Sequence, residues 1–322
     1  MKAILVPKPG GPESLVFGEA LDPVPAPDEV LVRVRATAVN RADLLQAAGR
    51  YPPPPGASEI LGLEAAGELE ETGERVFFLL AGGGYAERVA VPKGMLMPIP
   101  DGMGFVEAAA VPEAWFTAFL NLFVEGGIPG DDGRRDEKAL VHAAASGVGT
   151  SALQLLRRKG IPAIATTRSA FKLESLRTLG AALAIDTSRN DFATEIEATY
   201  GKDAVDVILD PVGGAFLERN LRVMARGGRL VLIASMGGGS STIDLRTVLS
   251  KRLRIVGSTL RSRPLVEKVE LTTAFVREVL PGFVDGSLHT VIDSVLPLSR
   301  AGDALRRMGA NENVGKIVLT VD

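Results

Sequence analysis

The 322-residue chain carries a net charge of −3, with 36 basic and 39 acidic residues, and 46% of its residues are hydrophobic. This balance is that of a globular protein with room for two domains, and it gives no basis for a nucleic-acid or membrane partner. The chain has no cysteine and only two histidines, which excludes disulfides, a cysteine nucleophile and a zinc site of cysteine or clustered histidine ligands. No apolar run is long enough for a signal peptide or a membrane helix, so we expect a cytoplasmic protein that acts on a small molecule.

The first hundred residues predict short β-strands and turns. Residues 3–6 form an apolar run, and residues 29–39 alternate valine with arginine, the period of a half-buried strand. Residues 75–80 and 85–91, separated by three glycines, predict a β-hairpin. The segment that follows has helical spacing, and Pro112 marks a break in it.

Residues 139–160, ALVHAAASGVGTSALQLLRRKG, predict a strand, a tight turn and a helix. Free backbone N–H groups and the dipole at such a helix start favour a pyrophosphate. The dinucleotide fingerprint G-x-G-x-x-G reads A-x-S-x-x-G here, a degenerate match that depends on its context. We expect the last glycine of the turn to let helix and strand approach closely, with the valine packed under the turn. The four predicted cofactor-binding residues of the turn are Ser146, Gly147, Val148 and Gly149.

Beyond this turn, strands and helices alternate regularly. The predicted strands cover residues 162–166, 183–185, 205–210, 229–234 and 253–257. Such alternation implies right-handed crossovers and a parallel sheet covered on both faces. We therefore predict a doubly wound α/β domain over residues 117–260. The last strands lack a crossover series, so we expect them to join residues 1–116 in a discontinuous β-rich domain that includes residues 261–322.

The second strand of this series ends in the sequence TTRSAFK, where an acidic residue would bind the ribose of NAD. No carboxylate stands there, and cations and hydroxyls can bind the 2′-phosphate of NADPH. The residues predicted to do so are Thr167, Arg168, Ser169 and Lys172. Alternatively, Arg168 and Lys172 only coat the first turn of a helix.

Two glycine-rich loops, residues 210–214 and 234–239, follow predicted strands at the edge where open α/β sheets bind ligands. Their glycines are equally consistent with tight turns and with ligand contact, and Met236 and Gly237 are the candidates for cofactor contact. His142 is expected to be a satisfied core histidine. The polar segment 126–138 shows no core-facing pattern and is expected on the surface.

Eight motifs, in order along nearly the whole chain, resemble the zinc-free quinone oxidoreductases of the medium-chain dehydrogenase/reductase superfamily. They are NRADLLQAAGRYPPPPG, LGLEAAG, GGGYAERV, ASGVGTSALQL, ILDPVGG, SMGGG, TLRSR and NENVGKIVL. The branch with the p53-inducible quinone oxidoreductase is the most similar. The resemblance implies an NADPH-dependent reductase that transfers hydride to a quinone or an activated enone. It further implies a GroES-like catalytic domain, an inserted Rossmann domain and a homodimer.

The resemblance also bears on zinc. In zinc-dependent members, a cysteine begins the segment that reads NRAD here, and a histidine precedes the glutamate of the segment GLEAAG. This chain has Asn40 and Leu63 at those positions. Neither is a zinc ligand here, and Glu64 alone cannot hold the metal.

By the same resemblance, Asn40 and Tyr51 are the catalytic candidates beside the nicotinamide. Each could donate a hydrogen bond to the acceptor oxygen on which negative charge develops. Alternatively, Asn40 caps the following helix. Asp43 is expected to orient its neighbours or to stand in the first helical turn, where the dipole favours acids.

The remaining cofactor contacts that the resemblance implies are Thr117, Thr259 and Leu260. The hydroxyl of Thr117 could equally bond its own helix backbone. The family often has a tyrosine at the position of Thr187, so the NADPH preference here depends more on Arg168 and Lys172. Two alternative functions stay open, an enoyl-thioester or alkenal reductase of the same fold and a non-catalytic NADPH-binding protein.

Overall fold

The structure, a computed structural model, describes residues 1–130 and 136–321. Residues 131–135, at the centre of the polar segment expected on the surface, lie outside the described residues. The chain divides into two compact units, Met1–Phe116 with Leu260–Asp322 and Thr117–Thr259. None of the described helices is long and apolar enough to span a membrane.

Strands and helices follow one another along both units. The strands are β1 (Lys2–Leu5), β2 (Val16–Glu19), β3 (Glu29–Ala38), β4 (Glu64–Leu69), β5 (Arg75–Leu79), β6 (Arg88–Pro92), β7 (Met97–Pro98), β8 (Ala139–Val141), β9 (Ala163–Thr167), β10 (Ala181–Asp186), β11 (Val205–Asp210), β12 (Met224–Leu232), β13 (Arg254–Gly257), β14 (Ile292–Pro297) and β15 (Lys316–Thr320). The helices are α1 (Arg41–Ala47), α2 (Phe105–Ala109), α3 (Pro112–Phe119), α4 (Gly147–Arg158), α5 (Leu173–Thr178), α6 (Phe192–Tyr200), α7 (Leu217–Val223), α8 (Leu245–Lys251), α9 (Leu265–Glu278), α10 (Leu280–Val284) and α11 (Ala301–Gly309).

The first unit is built on a seven-stranded sheet in the order β14-β15-β3-β4-β5-β7, with β6 also paired to β3. Strand β15 runs antiparallel to β3, with Val318 opposite Ala38. The last strand of the chain therefore joins the amino-terminal sheet, as the missing crossover series predicts. Strands β1 and β2 form a separate antiparallel pair.

The hairpin predicted over residues 75–91 is wrong. Strand β5 pairs with β4 and β7, whereas β6 pairs with β3. The glycines between β5 and β6 permit close packing instead of a hairpin turn, since a Cβ atom on Gly84 would lie 2.7 Å from the carbonyl oxygen of Glu64.

The second unit contains a six-stranded sheet in the order β10-β9-β8-β11-β12-β13. Every ladder in it is parallel, and the chain order reverses between β8 and β11. The central strands β8, β9 and β11 are buried at every residue, as expected of strands covered on both faces. The predicted doubly wound α/β fold is confirmed.

Candidate active site

A buried polar cluster in the first unit centres on Lys316, the first residue of β15. The Lys316 ammonium donates to Glu64 Oε1 at 2.6 Å, to Asn40 Oδ1 at 2.7 Å and to the Val39 carbonyl at 3.0 Å. Three acceptors satisfy the three protons of an ammonium group. Both Lys316 and Glu64 are buried, so each charge compensates the other.

Asn40 occupies the N-cap position of α1. Its amide nitrogen donates to Glu64 Oε1 at 2.7 Å and to the Ala38 carbonyl at 3.2 Å, while its amide oxygen accepts from Lys316. An amide group has two N–H donors, and both are engaged. The geometry therefore does not support the role expected of Asn40 as a donor to the acceptor oxygen. It makes Asn40 part of the buried cluster.

Asp43 lies in the first turn of α1 and is buried. Its Oδ2 accepts the N–H of Asn40 at 2.7 Å and the hydroxyl of Tyr85 at 2.8 Å, whereas Oδ1 has no partner among the described residues. Burial raises the pKa of Asp43 to about 6, although these hydrogen bonds and Lys316 oppose the rise. Asp43 thus stands in the first helical turn and also bonds two neighbours, which is consistent with both roles expected for it. The sequence analysis missed Tyr85, although the motif GGGYAERV contains it.

Glu113 adds a third carboxyl to the cluster from the first turn of α3. Its backbone N–H donates to Glu64 Oε2 at 2.8 Å. Burial and the neighbouring charge of Glu64 raise the pKa of Glu113 to about 8, so its carboxyl is mostly protonated at neutral pH. The sequence analysis missed Glu113, because an acid at a helix start is common for the dipole alone.

Tyr51 is half-buried and lies under the guanidinium of Arg261, whose Cζ is 5.1 Å from the ring centroid. Burial raises the pKa of the Tyr51 phenol, and the charge of Arg261 opposes that rise. Within residues 1–130 and 136–321, the phenol hydroxyl takes part in no hydrogen bond. The phenol O–H of Tyr51 is therefore an unused hydrogen-bond donor, whereas both side-chain N–H donors of Asn40 are engaged.

In the second unit, the turn before α4 has the geometry of an anion-binding helix start. The hydroxyl of Ser146, the N-cap residue, accepts the N–H of Gly149 at 3.1 Å. A Cβ atom on Gly149 would lie 2.4 Å from the Cα of Ala144, so the close approach predicted for this glycine is confirmed. Gly147 and Val148 are half-buried. The start of this 12-residue helix is suited to a phosphate group.

The carboxyl end of β9 presents the residues predicted to select NADPH. Thr167 is buried, and its carbonyl accepts the N–H and the hydroxyl of Thr187 at 2.8 and 3.1 Å. Arg168 is exposed and Ser169 is half-buried. Lys172 is only 5% exposed, so it does not coat the helix surface as the alternative interpretation supposed. Of the two cationic residues Arg168 and Lys172, Arg168 is therefore the one that is accessible.

A cavity of about 380 Å³ lies where β12 and β13 end, lined by residues 213–214, 217, 232–235, 238–241 and 257–259. Its lining includes Thr259 and the buried Ser258, whose Oγ has no partner among the described residues. Ser258 was not among the predicted contacts. A buried hydroxyl without a partner is unusual, which makes Ser258 a candidate for contact with a bound ligand.

The two glycine loops beside this cavity are bonded to each other. The N–H of Gly214 donates to the Gly238 carbonyl at 2.9 Å, and that of Gly237 donates to the Val212 carbonyl at 2.7 Å. A Cβ atom on Gly237 would lie 2.7 Å from a methyl carbon of Val212. Gly237 is thus required by the loop packing. Met236 and Gly237 are exposed but lie outside the cavity lining.

His142 joins a buried polar network that reaches the first of these loops. Its Nε2 is 2.8 Å from Asn220 Oδ1, and its Nδ1 is 2.8 Å from Thr166 Oγ1. Because an amide oxygen only accepts, Nε2 carries the proton and Nδ1 accepts the threonine hydroxyl. Asn220 in turn donates to Asp210, whose other oxygen accepts the N–H groups of residues 212–213. Burial lowers the pKa of His142, a satisfied core histidine as predicted.

Other candidate residues lie outside these groups. Thr117 is half-buried, and its carbonyl accepts the Asn121 amide at 2.7 Å, while Leu260 is buried.

The surface placement expected for the polar segment, residues 126–138, is wrong at Glu137. This carboxylate is buried and pairs with Arg229 at 2.9 Å, because a distant strand supplies the compensating charge.

Comparisons with known proteins agree with this architecture. Residues 26–101 match the family model of the alcohol dehydrogenase GroES-like domain, and residues 147–276 match that of zinc-binding dehydrogenases. The synaptic vesicle membrane protein VAT-1 homolog of Rattus norvegicus is 31% identical over 325 residues, which cover 93% of this chain and 78% of the relative. The chain belongs to the medium-chain dehydrogenase/reductase superfamily. Its two units carry the GroES-like and Rossmann-like folds of that superfamily.

One further relative is a separate enzyme, and another is a component of a polyketide synthase. The quinone oxidoreductase of Thermus thermophilus, whose structure was also solved with NADPH, is 33% identical with a TM-score of 0.85, and the match covers 100% of both chains. The pikromycin polyketide synthase component PikAII of Streptomyces venezuelae is 33% identical over 94% of this chain but only 8% of its own length. The superfamily fold therefore occurs both as a separate enzyme and within a large synthase.

The residues that the sequence analysis compared with zinc ligands lie in or next to the cluster around Lys316. No group of three histidine, aspartate or glutamate side chains in the described ranges is placed to hold a metal ion. Asn40, Leu63 and Glu64 are the residues at the compared positions. Asn40 and Glu64 are hydrogen-bonded to the ammonium of Lys316, and the Leu63 side chain has no atom that could bind a metal. One carboxylate that is already paired with an internal cation does not fit a zinc ion.

Proposed function

We propose that the chain is an NADPH-dependent quinone reductase that transfers hydride to a quinone or an activated enone without a metal. The observation that carries this proposal is the bonding of Lys316 to both Asn40 and Glu64. A site with this donor set supplies no Lewis acid, and a quinone needs none because it already accepts hydride readily. The T. thermophilus quinone oxidoreductase supports the choice of acceptor.

A reduced nicotinamide nucleotide, when bound, supplies the hydride. The second unit fits such a nucleotide, because the start of α4 suits a pyrophosphate and Arg168 is an accessible cation for a 2′-phosphate. The unpartnered Oγ of Ser258 offers one more polar contact. The NADPH complex of the T. thermophilus relative supports NADPH over NADH. Thr117, Thr259 and Leu260 stay proposed contacts of the nicotinamide.

Tyr51 is the residue we assign to the acceptor. Negative charge develops on the acceptor oxygen as hydride arrives, and a hydrogen bond from the phenol stabilises that charge. Its hydroxyl is unused within the described protein, whereas both N–H groups of Asn40 are engaged. Asn40 and Asp43 therefore act as positioning residues beneath the site, and solvent supplies the proton.

Anaerobic NADPH oxidation with a panel of p-quinones, alkenals and enoyl-CoA thioesters tests this proposal. We expect the highest kcat/KM with quinones. The similarity to PikAII favours a second candidate, an enoyl-thioester reductase, and turnover with enoyl thioesters alone would establish it in place of the first. Tight NADPH binding with no turnover of any acceptor would indicate a binding protein.

We also propose a homodimer formed through the second unit. Strand β13 is the edge of the parallel sheet, and Ile255 on it is exposed, as are Leu245 and Leu249 on α8. An open edge next to exposed apolar side chains is suited to pairing with a second copy. Light scattering should give the mass of a dimer, and Leu249→Lys should give a monomer, while Leu21→Lys, at an exposed position in the other unit, should not. A monomeric parent would contradict this proposal.

A further inference from the structure

Arg261 is a buried arginine whose contacts all join it to other segments of its own unit. Its Nε donates to the Ala81 carbonyl at 2.8 Å, and its Nη2 donates to Gln46 Oε1 at 2.7 Å. Its Nη1 lies 3.4 Å from the carbonyl oxygen of Tyr51, and its guanidinium plane covers the ring of the same residue. One side chain thus joins α1, the glycine segment after β5 and the start of the proline-rich segment.

The same contacts fix both ends of the segment that carries Tyr51. Gln46, which accepts from Arg261, donates through its own amide nitrogen to the carbonyl of Glu59 at 2.9 Å. Arg261 therefore contacts the beginning of residues 51–59 directly and their end through Gln46. Its own carbonyl accepts from Lys268 Nζ at 3.3 Å, which fixes its backbone against α9. Prolines at positions 52–55 limit the freedom of the chain between these ends.

We propose that Arg261 is a positioning residue that fixes the phenol of Tyr51 in place for the acceptor oxygen and keeps a positive charge beside it. This inference rests on the role of Tyr51 in the proposed function. A guanidinium can stack on an aromatic face and donate in its own plane at the same time, which a lysine ammonium cannot do. The sequence gives no sign of this role, since Arg261 follows the whole second unit along the chain.

We expect the charge of Arg261 to have a measurable effect on the pKa of Tyr51. Two charged groups act on the phenol: Arg261 lowers its pKa, whereas the carboxylate form of Glu113 raises it. Removal of the guanidinium therefore moves the titration of Tyr51 to higher pH. A purely structural role of Arg261, at a distance from the phenol, would leave that titration unchanged.

The test is a tyrosinate absorbance titration combined with a double-mutant cycle. The protein has three tyrosines, so subtracting the titration of Tyr51→Phe from that of the parent isolates Tyr51. We expect Arg261→Met to shift this difference titration to higher pH and to lower kcat with a quinone on the order of 10-fold, with a smaller effect on KM. In the Tyr51→Phe background, the same substitution should change kcat by less than about 2-fold.

Two further variants keep the test decisive. Arg263→Met removes the same charge two residues away, where the side chain pairs with Glu267, and should leave the Tyr51 titration unchanged. Arg261→Lys keeps the charge but loses the planar donor group, so it should lower kcat below that of the parent, and it takes the place of Arg261→Met if the methionine variant fails to fold. An unchanged Tyr51 titration, or a kcat loss of equal size in both backgrounds, would overturn the proposal. If the parent reduces no quinone, the proposed function fails, and the titration alone still decides the relation between Arg261 and Tyr51.

Discussion

Lys316 Nζ lies 2.6 Å from Glu64 Oε1, in a buried ion pair between residues 252 positions apart in the chain. Loss of one partner of such a pair leaves an uncompensated charge in the interior. We expect Lys316→Met to lower the free energy of unfolding by about 3–5 kcal/mol in urea titrations. The exposed Lys202→Met should change it by less than about 0.5 kcal/mol. Equal effects of the two substitutions would show that the buried pair contributes little.

The raised pKa of Glu113 predicts how stability depends on pH. Its pKa is about 8 in the folded protein against an ordinary value of 4.5, so folding favours the protonated form. The stabilisation from this group is complete below the ordinary value and is lost as pH rises through about 8. Glu113→Gln cannot ionise at this position. The unfolding free energy of the variant minus that of the parent should therefore increase as the pH rises from about 5 to about 9.

The matched control for this prediction is Glu107→Gln, at an exposed position one helix earlier. Its unfolding free energy should follow that of the parent across the same range of pH. A constant difference between Glu113→Gln and the parent at every pH would contradict the assignment. Asp43, whose pKa is also raised by burial, acts in the same direction in all these proteins.

Arg168 should determine the choice between NADPH and NADH. A charged hydrogen bond to a phosphate contributes roughly 1.5–3 kcal/mol, so Arg168→Ala should weaken NADPH binding about 10- to 100-fold and change NADH binding by less than about 2-fold. Lys172→Ala should also weaken NADPH more than NADH, and it should lower stability because the side chain is buried. Calorimetric titration measures each Kd.

Arg177→Ala is the control for this pair, since Arg177 is an exposed residue of α5 that pairs with Glu174. It should leave both nucleotide affinities unchanged. Equal losses for NADPH and NADH in Arg168→Ala would show that this residue does not contact the 2′-phosphate.

The sequence correctly predicted the parts of the fold that depend on residues close together in the chain. The alternation of strands and helices after residue 139 predicted the parallel sheet, because each crossover is complete within a short stretch of chain. The hairpin over residues 75–91 was wrong because the choice of strand partner is not local. Strand β6 pairs with β3, and two strands separate β3 from β6 along the chain.

The site was predicted less completely for the same reason. Tyr51 and Asn40 stand in one continuous motif, whereas Arg261 and Lys316 reach them from segments more than two hundred residues away. A lysine in a terminal strand and an arginine after a long domain carry no local signal of burial. Their roles depend on which carboxylates and rings they meet in the fold, and that is a property of tertiary packing.

The central claim is hydride transfer from NADPH to a quinone without a metal. The measurement that tests it most directly is the anaerobic rate of NADPH oxidation by a p-quinone, before and after the protein is dialysed against a chelator. We predict one NADPH consumed for each quinone reduced, at a rate that the chelator does not change. A rate that the chelator abolishes and added zinc restores, or no quinone reduction in either sample, would contradict the account.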